Sequence, residues 1–338
     1  MELKVFESPG KEWDEFASQY TDLIFYQSAW AGVLKKGLGG QPLYFFLKEG
    51  EQIIAGLPGV LLNFKIVKVF YASIPYGNLL GERSHFPLFM ELLDYELRKR
   101  GIDQVRITES PFSEPFQPRR FKPISAKCTL LDLRNYDKEQ LWKGYRKNVR
   151  RDIRKAQRSG VIVRAGSSKE DVRIFYRLYL DSMERNRAAA KYPFRWFESI
   201  YEELGKRQLA TTLFGELNGV AIAGVILINS TTTTHYFHNG SQGEFLRFCP
   251  NELLIHSALE GAIEKGHSCF DFMGSDSNDL PLLRFKEKWG GQTRDICTHV
   301  RDYHSIRCRI WELGKRFGNS RLGSMLLRGF WDQRKEID

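Results

Sequence analysis

Only five cysteines stand among the 338 residues, at 128, 249, 269, 297 and 308, and no two of them form a Cys-x-x-Cys pair. An odd, scattered set of this kind fits neither a disulfide framework nor a zinc site, and buried thiols are the expectation. Long apolar runs are missing too. The best of them, Gly219 to Ile228, is about half of the roughly 20 residues a bilayer span needs, so no crossing is expected. The opening residues, MELKVFESPGKEW, put charges where a signal peptide needs apolar side chains, which makes the cytoplasm the expected compartment. No Ser-His-Asp order built on a nucleophile elbow is present, which argues against a serine hydrolase.

What is present suits a folded protein of more than one domain. The chain is 42% hydrophobic, 13% aromatic and 27% charged, enough apolar material for substantial cores, and its length favours two domains. Net charge is +10, unevenly spread: residues 1–135 hold 17 Lys/Arg against 16 Asp/Glu, residues 136–304 hold 26 against 21, and the last 34 hold 8 against 4. The basic excess therefore lies in the second half and the tail, where it would concentrate phosphates, nucleic acid or anionic lipid without choosing among them.

The chain also repeats itself. FLKEGEQIIAGLPGV (46–60) and FGELNGVAIAGVILI (214–228) superpose at an offset of 168, pairing Phe46 with Phe214, Ile54 with Ile222 and Gly56 with Gly224. Each reads as two apolar strands about a turn, at Gly50 and at Asn218-Gly219. A helix of apolar spacing and a short strand follow each hairpin, over 86–100 and 104–108, then 251–265 and 269–273. Further helices are predicted at 27–38, 171–185 and 194–206. Strands alternating with helices predict mixed α/β domains, with a boundary where the strand 127–133 gives way to a polar helix beginning near Asp137. The tail from Ser305 reads as two amphipathic helical stretches returning to the first domain.

Two segments carry the chemistry. In KGYRKNVRRDIRKAQRSG (143–160), Arg146, Arg150, Arg154 and Arg158 recur every four residues and form one helical stripe. Like charges at that spacing cost helix stability, so packing through Val149, Ile153 and Ala156, or an anionic partner, must offset it. The stripe is either a solvated face or a site for a polyanion. Residues 235–290 hold several histidines, but His235 and His238 should fall on opposite faces of a strand with no third ligand near, so zinc is not expected. There remain Asp271 at a strand end, Gly274-Ser275, and Lys286 framed by Phe285 and Trp289, either an oxyanion-stabilising lysine or a surface lysine whose stem covers apolar surface.

FYQSAWAGVLKK, RKNVRRDIRKAQRSGV, YFHNGS, PNELLIHSALEGAIEKG with FDFMGS, and RFKEKWGG together resemble the Fem family (FemABX), aminoacyltransferases of peptidoglycan interpeptide bridges, and more broadly the FemAB-like acyltransferases. The resemblance covers most of the chain. It implies an α/β fold of two tandem GNAT-like domains, 1–135 completed by a helical tail at 305–338, and 136–304 with the basic helix at its head. It implies that an amine attacks an aminoacyl ester while Lys286, beside Phe285, steadies the developing charge, with no metal, cofactor or covalent intermediate. Tyr236 and Asn239 of YFHNGS, Asp271, Phe285, Lys35 and Lys36 become the candidate substrate-binding residues.

The chain departs from the family at several positions. Leu34 stands where one member has a phosphate-contacting lysine, and Thr211 where it has an arginine, so a UDP-linked precursor is not the expected acceptor. Gly160 ends the basic helix before any long helical arm, and the acetyl-CoA loop of GNAT proteins is absent. The leading expectation is an aminoacyl- or acyltransferase making an amide on an envelope-related, amine-bearing acceptor, with an aminoacyl-tRNA or an acidic carrier protein as donor partner, at the inner face of the membrane with peripheral contact. One rival is an N-acyltransferase using a carrier-protein or CoA thioester. Another is a non-catalytic protein binding nucleic acid or a membrane surface through the basic helix and tail.

Overall fold

The computed structural model describes residues 1–8 and 10–319. The chain divides into two compact units, one formed by Met1–Ala126 with Asp295–Arg316 and the other built on Lys127–Arg294.

In the first unit the elements are β1 (Glu2–Phe6), α1 (Gly10–Ser18), α2 (Ser28–Leu38), β2 (Gln41–Glu49), β3 (Gln52–Asn63), β4 (Lys68–Ala72), β5 (Leu80–Gly81), α3 (Phe86–Lys99) and β6 (Gln104–Thr108). The sheet runs β1-β2-β3-β4-β6 and is closed by β13 (Gln292–Asp302), whose Thr298–Asp302 pairs antiparallel with β6. β4 and β6 are parallel. Both faces of β2 are buried, which explains its unbroken PLYFFL: helices cover the sheet on both sides, so alternation is not required. On one face Trp13 of α1 stacks on Phe46 with centroids 5.4 Å apart. Phe89, Leu93 and Leu97 of α3, spaced at four, join Phe45, Leu57 and Val105 in another core. The tail begins as α10 (Ser305–Asn319), whose Cys308 and Trp311 pack on Phe64, Val67, Val69 and Tyr71. The second amphipathic stretch expected of the tail lies outside the described residues.

The second unit follows the same plan. Its elements are β7 (Lys122–Asp132), α4 (Lys138–Gly144), α5 (Lys147–Arg158), β8 (Ile162–Gly166), α6 (Lys169–Arg185), α7 (Phe194–Glu203), β9 (Ala210–Leu217), β10 (Val220–Asn229), β11 (Thr233–Ser241), α8 (Pro250–Glu264), β12 (Cys269–Ser275) and α9 (Leu280–Glu287). The sheet runs β8-β9-β10-β11-β12-β7. Both predicted hairpins are present, the second turning at Asn218 and Gly219, both at positive φ. Sequence reading takes the strand near 127–133 as the end of the first domain; residues 127–132 instead pair with β12 in the second unit. It also passes from the first hairpin to its helix without β4, the strand that pairs in parallel with β6 as β11 does with β12.

The basic segment is two helices. α4 is capped by Asp137, which exchanges hydrogen bonds with Gln140, and the chain then breaks at Tyr145 and Arg146 before α5 begins. Val149, Ile153 and Ala156 are fully buried beside α8 residues such as Leu253 and Leu254, so tertiary packing offsets the repulsion along the arginine stripe.

Candidate active site

The parallel strands β11 and β12 pair only from Thr233 to His235 and from Cys269 to Asp271. Beyond those residues β11 keeps to β10 while β12 keeps to β7, so the two strands part company toward their C-terminal ends. There β12 bulges: its register with β7 slips between Asp271 and Gly274, and Met273 holds φ +64°. A non-glycine residue in that region needs a specific restraint. Asp271 supplies it, since Met273 N donates to Asp271 Oδ1 at 2.7 Å.

The bulge turns carbonyls toward α9. That helix starts with Asp279 accepting from Leu282 N at 3.1 Å and has a proline in its first turn, both favourable at a helix N-terminus. Its length brings Lys286, 5% exposed, back to the strand end. Lys286 Nζ donates to Met273 O at 2.8 Å, Gly274 O at 3.2 Å and Ser275 Oγ at 2.7 Å. An ammonium has three protons, and each has an acceptor. Burial pushes the amine down to about 8, opposed by the carboxylates of Asp271 and Asp279, so near neutral pH it is mainly charged yet close to titration.

Asp271 is itself the centre of a dry polar chain. His235 Nδ1 lies 2.9 Å from Asp271 Oδ2, His235 Nε2 lies 2.9 Å from Ser230 Oγ, and Cys128 Sγ donates to Asp271 Oδ1 at 3.3 Å. Neither Asp271 nor His235 is exposed at all. Asp271 therefore faces protein groups and acts on its surroundings through them.

Among the other candidates, Phe285 is half-buried, with Lys288 Nζ 4.6 Å from its ring centroid, and Lys288 pairs with Glu252 of α8 at 2.9 Å. Tyr236 is buried in the core with Phe270, Phe272 and Trp289, and burial pushes its hydroxyl well above the usual range. Asn239, further along β11, is exposed. Lys35 and Lys36 are exposed on the last turn of α2, in the first unit. Arg146, Arg154 and Arg158 are exposed and Arg150 half-buried; Arg154 lies 5.3 Å over the Trp142 ring.

His235 and His238 do not fall on opposite faces. Phe237 is an extra residue in β11 between the pairs Leu227–Tyr236 and Ile226–His238, and a bulge resets the alternation. His238 thereby turns to α6 and α7, where burial pushes its imidazole down to about 3 and it accepts from Trp196 Nε1 at 2.9 Å. Sequence reasoning also misses the acceptors of Lys286, because a bulge is a property of pairing. The one local signal was an aspartate two residues before Met273, the spacing at which a carboxylate takes a backbone N–H.

Residues 143–287 match the family model described as an acetyltransferase (GNAT) domain. Over 91 residues the chain is 29% identical to the lipid II:glycine glycyltransferase of Staphylococcus aureus, a match spanning 25% of this chain and 22% of that protein. Across the fold it resembles the crystal structure of FemX, with a TM-score of 0.65, 14% identity and coverage of 92% of this chain and 99% of that one. The second unit carries a GNAT domain, and the chain as a whole has the fold of FemX. A tandem GNAT protein from the clavulanic acid biosynthesis pathway matches at a TM-score of 0.59 with 13% identity, over 89% of this chain and 98% of that one. The repeat at an offset of 168 is thus the sequence trace of the two sheets of a tandem GNAT fold.

Proposed function

We propose that this protein transfers an aminoacyl or acyl group to an amine on an envelope-related acceptor, with Lys286 as the residue that stabilises charge in the transfer. The observation that carries the reading is the buried Lys286 ammonium, held at the bulged end of β12 where β11 and β12 separate. A lysine cited only for covering apolar surface would keep its amine in water. The likeness to a lipid II:glycine glycyltransferase supports aminoacyl transfer to an acceptor of the lipid II kind.

In this reaction the acceptor nitrogen attacks the ester carbonyl carbon, a C–N bond forms, and the C–O bond to the donor breaks. The nitrogen loses one proton and the departing oxygen gains one. Negative charge builds on the carbonyl oxygen in between, and a preformed cation there lowers the barrier. Lys286 can serve by exchanging its longest contact, Gly274 O at 3.2 Å, for that oxygen while Met273 O and Ser275 Oγ hold it in place. The exposed arginines of α5 suit the phosphates of a tRNA donor. Transfer from labelled aminoacyl-tRNA to lipid II, compared with transfer from acyl-CoA to the same acceptor, tests the reading. No amide product from either donor would refute it.

A further inference from the structure

The first unit carries an apolar surface that the proposed transfer does not use. One face of α10 is seated on the sheet: Cys308 is buried, and the Trp311 ring stacks on Phe64 with centroids 4.2 Å apart. Ile306, Ile310 and Leu313 stand at i, i+4 and i+7, which makes them one stripe roughly opposite that seat. They are 67%, 54% and 64% exposed. The turn between β3 and β4, whose Phe64 and Val67 hold the helix, adds Ile66 at 50% exposure. Single apolar side chains at a surface need no explanation, but four of them on two adjoining elements mark a contact surface.

Charge narrows what that surface meets. Arg309 on the helix and Lys65 and Lys68 on the turn are exposed. The acids nearby are engaged by protein groups: Glu312 pairs with Arg106 at 3.2 Å, Asp103 with Arg307 at 3.3 Å, and Asp302 accepts from Gln104 Nε2 at 2.7 Å. The apolar stripe thus has a basic rim. A second copy meeting this face about a two-fold axis would set those cations against themselves. Residues 320–338 hold four Lys/Arg (321, 328, 334, 335) and three Asp/Glu (332, 336, 338), so they bring no net negative charge to it. An anionic lipid surface offers both an apolar boundary and negative headgroups. No helix among the described residues is long and apolar enough to cross a membrane, so the contact would be interfacial.

We infer that the first unit docks on an anionic membrane surface, with Ile306, Ile310, Leu313 and Ile66 entering the boundary between headgroups and acyl chains and with Lys65, Lys68 and Arg309 meeting lipid phosphates. Such docking requires nothing of the transfer reaction, and vesicle binding reads it whether or not transfer occurs.

Co-sedimentation of the full chain with vesicles tests this, comparing phosphatidylcholine alone with an even mixture of phosphatidylcholine and phosphatidylglycerol. Binding to the mixture is expected, with affinity for phosphatidylcholine alone about tenfold lower or less. Lys65→Gln and Arg309→Gln should each weaken it by about fivefold, the share of one cation near such a surface. Ile306→Gln/Ile310→Gln/Leu313→Gln, which keeps good helix formers, should weaken it by about tenfold or more with the unfolding midpoint of wild type, because the stripe already faces water. Arg146→Gln/Arg154→Gln/Arg158→Gln controls for attraction to α5 and should retain most of the binding. No binding to the mixture, binding unchanged by the apolar variant, or binding lost only with the α5 arginines overturns the proposal. So does a lowered unfolding midpoint in the apolar variant, which would mean that protein rather than lipid covers the stripe.

Discussion

Asp271 and Lys286 are coupled through one backbone residue: Asp271 Oδ1 accepts from Met273 N at 2.7 Å, and Met273 O accepts from Lys286 Nζ at 2.8 Å. The carboxylate fixes the left-handed turn, and the turn presents the carbonyl. Removing Asp271 should release both and take from His235 Nδ1 the carboxylate it faces in the core. Asp271→Ala is expected to destabilise the chain by about 3 kcal/mol or more, the range for breaking a buried ionic or hydrogen-bonded pair. Urea unfolding checks this, and a loss below about 1 kcal/mol would contradict it.

The lowered proton affinity of Lys286 predicts a pH signature. Its amine titrates near 8 in the folded chain against 10.5 for an unperturbed lysine, so between those values the unfolded chain binds more protons. Stability should therefore rise with pH across that window, relative to a Lys286→Met variant that lacks the group. Denaturation of both proteins from pH 7.5 to 10.5 measures the difference; a flat difference would mean that the amine is not desolvated.

Gly240 of YFHNGS has a structural task. A Cβ there would sit 2.5 Å from Tyr179 N and 2.6 Å from Leu178 C, backbone atoms of α6 that cannot swing aside. Gly240→Ala should push α6 off β11 and cost about 1–3 kcal/mol, as overpacking does. Thermal unfolding reads it, and an unchanged midpoint would show that α6 is not seated this closely.

The two faces of α5 should behave oppositely. Ile153→Ala empties a fully buried position and should cost about 2–5 kcal/mol. Arg154→Ala lies on the exposed face and should leave stability within about 0.5 kcal/mol. If the stripe binds RNA, each arginine removed should reduce the slope of log affinity against log salt by about one unit or less. A slope unaffected by Arg146, Arg154 and Arg158 variants would return the stripe to solvated surface.

Periodicity and turn chemistry carry far in this sequence, and their failures are physical. Asn218-Gly219, the spacing of Phe89, Leu93 and Leu97, and the buried stripe of Val149, Ile153 and Ala156 are local patterns, and each appears where its pattern places it. What was not legible depends on pairing between distant segments. The pairing of residues 127–132 with β12, the extra residue at Phe237 and the bulge at Met273 follow from strand neighbours that no local spacing reveals. The same holds at the candidate site. The chemistry-bearing Lys286 stood out by its surroundings, whereas Ser275, Cys128 and His235, which complete the polar chain around it, are brought near only by the folded sheet.

The most direct test of the central claim is the single-turnover rate of amide formation from labelled aminoacyl-tRNA and lipid II by wild type, Lys286→Ala and Lys286→Arg. Loss of a charge-stabilising donor should lower the Lys286→Ala rate by about 10² to 10³, with an unfolding temperature that still reports a folded chain. Partial recovery is expected in Lys286→Arg, which keeps the cation. A folded Lys286→Ala variant that turns over at the wild-type rate would contradict the account.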